Sequence, residues 1–247
     1  DGEASSNYSG QSVSLSSDGK TVAIGAPYNG DNGTQSGHVR VYQLLNDSWT
    51  QLGLDINGEA SYNYFGSSVS LSSDGKTVAV GAPYNDDNGS NSGHVRVYNY
   101  YLGFWIQLGS DINGEVSSDY SGWSVSLSSD GTTLAIGAPY NDGNGSDSGH
   151  VRIYNYNGTS WSQLGEDIDG EAANDQSGYS VSLSSDGTTL AIGANKNDGN
   201  GSDSGHVRIY NYNDSSWTQL GTDIDGEAAT DQSGYSVSLS SDGNIVA

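Results

Sequence analysis

The sequence predicts an all-β fold of tandem four-stranded antiparallel blades, propeller-like in arrangement. Three observations carry that expectation. A unit of 56 residues is written four times and begun a fifth time: Gly2, Gly58, Gly114, Gly170 and Gly226, each followed by Glu, recur without insertion. Within the unit, short alternating apolar segments are separated by turn-forming Gly, Asn, Asp and Ser, the pattern of half-buried strands joined by tight turns. No helical period appears, and repeats of this length stack as blades or coils that bury their faces against their neighbours. The units cover 1–56, 57–112, 113–168 and 169–224, and 225–247 opens a fifth.

The fourth unit shows the elements most clearly. Tyr179 to Ser184 alternates apolar and small polar residues as a half-buried strand does. Asp186-Gly187 supplies a hairpin turn, because glycine tolerates the positive φ such turns need. Thr189 to Gly193 is the second strand, with Ala and Gly on a face that permits close approach. A polar loop from Asn197 to Gly205 leads to the third strand, His206 to Tyr210. Asn213-Asp214 turns it into the fourth, Trp217 to Leu220. Four antiparallel strands at a fixed period are what a propeller blade looks like in sequence.

Composition narrows the function classes. Only 33% of the 247 residues are hydrophobic, and the 36 glycines belong to turns, while 17 Tyr and 5 Trp at fixed places argue for packing rather than disorder. Seven Lys and Arg face 30 Asp and Glu, a formal net charge of -23. Such a balance repels nucleic acid and anionic membranes and attracts cations. No apolar run reaches the length of a membrane span, so neither nucleic-acid binding nor membrane insertion is expected. The absence of Cys removes disulfides and thiolate chemistry. With no signal peptide, and a first residue already inside a repeat, a mature or excised segment is expected.

Gly25-Ala26-Pro27, Gly81-Ala82-Pro83 and Gly137-Ala138-Pro139 recur at the end of the second strand, with Gly193-Ala194-Asn195 in the fourth copy. Phe65-Gly66 precedes the first strand of its unit, and Ser9-Gly10, Ser121-Gly122, Ser177-Gly178 and Ser233-Gly234 hold the same place. The pattern resembles the FG-GAP repeats of integrin-type β-propellers. That resemblance implies calcium in an acidic loop before the GAP strand, but Ser14 to Lys20 offers a single Asp18 there, too few oxygens for calcium. The heads it resembles have seven blades. Four whole units would close a smaller ring, and the fifth copy's stop at Ala247 is expected to mark a fragment, a longer chain, or strands completed by another molecule.

A separate acidic run recurs between blades. Asp55, Asn57, Glu59 and Asn63 stand at relative positions 1, 3, 5 and 9, as do Asp111, Asn113, Glu115 and Asp119, then Asp167, Asp169, Glu171 and Asp175, then Asp223, Asp225, Glu227 and Asp231. Alternate positions bring oxygens to one side, a geometry hard cations use, so calcium is a candidate cofactor; the other reading is a solvated turn that pairs with Arg or caps backbone amides. The polar loop offers a second set, Asp142, Asn144 and Asp147, then Asp198, Asn200 and Asp203, whose acids shift in the first two copies. Sequons at Asn32, Asn88, Asn144 and Asn200 are glycosylation candidates, if the source is a secretory eukaryote or an equivalent.

His38, His94, His150 and His206 each precede Arg40, Arg96, Arg152 or Arg208 by two residues, hence on one strand face. A metal or catalytic role would need partners from other strands, and copying into every unit suits architecture, with the Arg paired to the Glu of the Gly-Glu turn. Trp49, Trp105, Trp161 and Trp217 are expected between blades. Phosphate loops, nucleophile elbows and zinc pairs at helical spacing are missing. The expectation is therefore a non-enzymatic, extracellular or cell-surface structural or adhesive module of a longer surface protein or fibre. Its partners would be other copies of itself or cell-surface glycans or proteins. The alternative is a calcium-dependent glycan- or protein-binding propeller.

Overall fold

The computed structural model describes residues 2 and 4–247; among them no helix occurs, and four sheets follow one another in tandem. The first repeat forms β1 (Ser12–Leu15), β2 (Thr21–Ala26), β3 (His38–Leu45), β4 (Ser48–Gln51) and β5 (Ile56–Asn57). The second forms β6 (Ser68–Leu71), β7 (Thr77–Ala82), β8 (His94–Tyr101), β9 (Phe104–Gln107) and β10 (Ile112–Asn113). The third forms β11 (Ser124–Leu127), β12 (Thr133–Ala138), β13 (His150–Tyr156), β14 (Trp161–Gln163) and β15 (Ile168–Asp169). The fourth forms β16 (Ser177–Leu183), β17 (Thr189–Ala194), β18 (His206–Tyr212), β19 (Trp217–Gln219) and β20 (Ile224–Asp225). Each sheet is an antiparallel meander of four strands, as in a four-bladed propeller-like fold. The two-residue strands were not expected. Each pairs with the start of its third strand, so that Asn57, Asn113, Asp169 and Asp225 stand directly opposite His38, His94, His150 and His206.

Neighbouring blades meet along their first strands through serine. The Ser14 hydroxyl accepts the Leu71 amide at 2.9 Å, and Ser70, Ser126 and Ser182 do the same for Leu127, Leu183 and Leu239. These small residues give close approach without leaving backbone donors unpaired. The FG and GAP elements are joined within a repeat, the Gly66 amide donating to the Gly81 carbonyl at 3.0 Å, and they also meet across the boundary. A Cβ on Gly25 of the preceding repeat would fall 2.1 Å from the Gly66 oxygen. Glycine is obligatory there for space.

The core lies between sheets. Ala23, Val39, Val41 and Ile56 of the first blade pack on Phe65, Val69, Leu71, Val78 and Val80 of the second, and the next two boundaries repeat the arrangement. The tryptophans close each boundary at its rim. Trp105, Trp161 and Trp217 donate their indole N–H to the carbonyls of Leu52, Leu108 and Leu164 of the blade before, at 2.8, 2.9 and 2.9 Å. Asp18, Asp74, Asp130, Asp186 and Asp242 of the hairpin turns accept hydrogen bonds from a serine two residues earlier and an amide two residues later.

Candidate metal centre

On β8, His94 and Arg96 point to one side, as residues two apart in a strand must. The imidazole is 1% exposed. Its Nδ1 lies 3.7 Å from Asp87, 3.9 Å from Glu59 and 4.0 Å from Asp111. These distances exceed a hydrogen bond, and among the described residues Nδ1 has no hydrogen-bond partner. A buried polar atom left so is costly unless something absent from the protein itself engages it. Arg96 grips Asp111 with two bonds of 2.9 and 2.7 Å and also reaches Glu59. Gln107 holds the same Asp111 oxygen at 2.6 Å.

The constellation recurs at each repeat: Asp31, His38 and Asp55; Glu59, Asp87, His94 and Asp111; Glu115, His150 and Asp167; Glu171, His206 and Asp223. Arg40 and Arg208 hold Asp55 and Asp223 as Arg96 holds Asp111, and Arg208 also reaches Glu171. The expected pairing of Arg with the Glu of the Gly-Glu turn is thus present in three repeats, and the first repeat's Glu3 lies outside the described residues. The third repeat differs. Arg152 pairs with Glu115 at 3.3 Å, donates to the Asn113 carbonyl and lies over the Tyr154 ring.

Burial, then the adjacent guanidinium, pushes the His94 and His150 pKa down to about 4, so both imidazoles are neutral at pH 7. The Arg40 hydrogen bonds hold the Asp55 carboxyl below its ordinary value. At Asp111, burial works upward, but Arg96 and Gln107 outweigh it and the net direction is down. The clusters of His94 and His150 therefore present neutral imidazoles to their carboxylates, and burial moves His206 in the same direction. Ligand atoms bound at about 2.1 Å around a tetrahedral ion stand roughly 3.4 Å apart. The 3.6 to 4.0 Å separations between each Nδ1 and its nearest carboxylates are those of such a set slightly opened.

The acidic runs do not close on single points. Asp111 belongs to the cluster of His94 and Glu115 to that of His150; Asp55, Asp167 and Asp223 likewise sit by the histidine of their own repeat, and Glu59 and Glu171 by His94 and His206. Asn57, Asn113, Asp169 and Asp225 lie in the short strands. Asp119, Asp175 and Asp231 accept backbone amides three residues back, closing a turn, and Asp175 also accepts the Asn197 amide. Asn63 is buried at the equivalent place, and Glu227 is exposed. The side chains of Asn32, Asn88, Asn144 and Asn200 are exposed but donate to the carbonyls of Gly58, Gly114, Gly170 and Gly226 at 2.7 to 2.9 Å, pinning the polar loop to the next turn. The sequence assigned the histidines to architecture and did not single out the loop acids Asp31 and Asp87, yet these stand together in the clusters. The signal for both was present: an invariant His in every repeat, and acids that shift within one loop.

The model of the FG-GAP repeat matches residues 1–42, 57–98, 113–154 and 168–210. The chain belongs to the FG-GAP repeat family. No curated protein matches its sequence. Among solved structures, this FG-GAP chain shares its fold with a protein from Bacteroides uniformis designated a 6-phosphogluconolactonase, at a TM-score of 0.63 and 14% identity, covering 96% of this chain and 63% of that one. The hydrazine synthase of Kuenenia stuttgartiensis follows, at 0.56 and 16%, with 95% and 60% covered. A periplasmic gluconolactonase of Pseudomonas aeruginosa gives 0.55 and 16%, with 87% and 56% covered. The FG-GAP chain thus spans about three fifths of the length of these structures. They correct the expectation of a non-enzymatic structural or adhesive module: chains designated as lactonases carry the same architecture. The architecture by itself is therefore no argument against catalysis.

Proposed function

We propose that this FG-GAP propeller binds divalent transition-metal ions, one at each His–carboxylate cluster. The observation that carries the reading is the His94 Nδ1, buried, without a hydrogen-bond partner among the described residues, and facing three carboxylates. Three carboxylates against the one Arg96 guanidinium leave two negative charges, matching a divalent ion. An imidazole donor favours zinc, nickel or copper over calcium, which prefers an all-oxygen shell. Zinc added after chelation should raise the melting midpoint, since a ligand held by the native state alone stabilises it, and calcium should do so much less. The same zinc applied to H94Q should bind with one site fewer. Equal binding by H94Q, or no shift with any divalent ion, would refute the reading.

A second reading is favoured by the open side of the cluster, where Glu59 and Asp87 face solvent beside Arg96. A bound ion supplies Lewis acidity and a water activated near neutral pH. A guanidinium next to it suits the charge that develops on a carbonyl oxygen during ester hydrolysis. With two fold neighbours designated as lactonases, a sugar-derived lactone is the substrate class to try. Zinc-loaded protein should open such a lactone, and H38Q/H94Q/H150Q/H206Q, which removes the imidazole from all four clusters, should lower the rate more than tenfold. A rate unaffected by chelation would remove this second reading.

A further inference from the structure

We infer that every cluster keeps one further carboxylate ligand, supplied by the loop in the first two repeats and by the short strand in the last two. This inference rests on the ion-binding reading above. The loop position holds Asp31 and Asp87 in repeats one and two but Gly143 and Gly199 in repeats three and four. The strand position holds Asn57 and Asn113 in the first pair but Asp169 and Asp225 in the second. Where the loop loses its carboxylate, the strand gains one. The formal charge of each pair of positions is the same in all four repeats.

The fold makes the exchange physically direct. Asp169 stands opposite His150 in the sheet, and Asp225 opposite His206; cross-strand partners carry their side chains on one face with Cβ atoms about 5 Å apart. A Cβ built on Gly143 would lie 3.3 Å from the Asp169 carboxylate, and one on Gly199 would lie 3.5 Å from that of Asp225. The carboxylate from the strand thus fills the space beside the loop glycine that the loop aspartate begins from. In repeat two that aspartate, Asp87, ends 3.7 Å from the His94 Nδ1. A rotation of the Asp169 side chain toward His150 completes a set of one imidazole and three carboxylates, the composition of the second cluster. The site then takes a borderline-soft divalent ion such as zinc.

The test is zinc titration of the full chain by calorimetry, with each histidine followed by NMR. The wild type should fill four sites of similar affinity. D169N/D225N should weaken the His150 and His206 sites at least tenfold and leave those of His38 and His94 unchanged. D87G should weaken the His94 site alone, and D87G/N113D, which transplants the later arrangement, should restore it to within about threefold. D87N serves as the control should the glycine unsettle the loop. Failure of the wild type to bind zinc would overturn the ion-binding reading itself. Zinc binding by D169N/D225N equal to the wild type, or no rescue by D87G/N113D, would overturn the exchange while leaving that reading intact.

Discussion

His94 and Arg96 divide one carboxylate between them: the Asp111 oxygen that Arg96 holds at 2.7 Å stands 4.0 Å from the His94 Nδ1. The guanidinium is satisfied and the imidazole is not. Architecture alone would have let both bond, so the relationship separates a structural partner from a group waiting for one.

Removing the satisfied member exposes the difference. R96A leaves Glu59, Asp87 and Asp111 without their cation and should cost about 3 kcal/mol in metal-free buffer. Zinc should raise the melting midpoint of R96A more than that of the wild type, because the ion replaces the lost charge. Thermal melts with and without zinc check both parts.

The histidines set an acid limit. The folded pKa of His94 and His150 lies near 4, below the unfolded value of about 6.5, so the unfolded chain takes up protons first as pH falls. Their contribution is fully present above about 6.5 and is lost as pH drops through 4. Urea unfolding at pH 7 and pH 4.5 should show the loss, and H94Q/H150Q should flatten it. The carboxylates held by Arg40 and Arg96 titrate lower and act below that window.

Glycine at the GAP position answers to space. G81A would drive a methyl group to 2.1 Å from the Gly122 oxygen and should destabilise by more than 2 kcal/mol or abolish folding. G30A, whose nearest neighbouring atom would be 3.7 Å away, should be nearly neutral. Chemical denaturation of the two variants compares them directly.

The indole bonds across blades carry a smaller share. W161F removes the donor to the Leu108 carbonyl and should cost about 1 kcal/mol beyond the change in packing. W49F, at a ring 49% exposed, should cost much less. Paired melts of W161F and W49F give the difference.

The four long strands were legible because Ser-Val-Ser-Leu and His-Val-Arg-Ile each run long enough for alternation to register. Ile56-Asn57 and its copies are two residues long, and two residues carry no period. The acidic runs were visible as chemistry but not as geometry, since Asp111 and Glu115 are neighbours in sequence and serve different histidines. The site is drawn from the turn at Glu59, the loop at Asp87, the strand at His94 and the segment before β10, and only pairing of the strands brings these together. Sequence did show the Gly143 and Asp169 substitutions, whose link became apparent once one was found beside the other.

Each sheet draws its four long strands from a single repeat, only the short fifth strand reaching one residue into the next, and the serine bonds at each boundary run between adjacent units alone. Successive ruptures under tension would each release one 56-residue unit, roughly 190 Å of extended backbone, and ions seated at the clusters would raise the force of each step without changing its length.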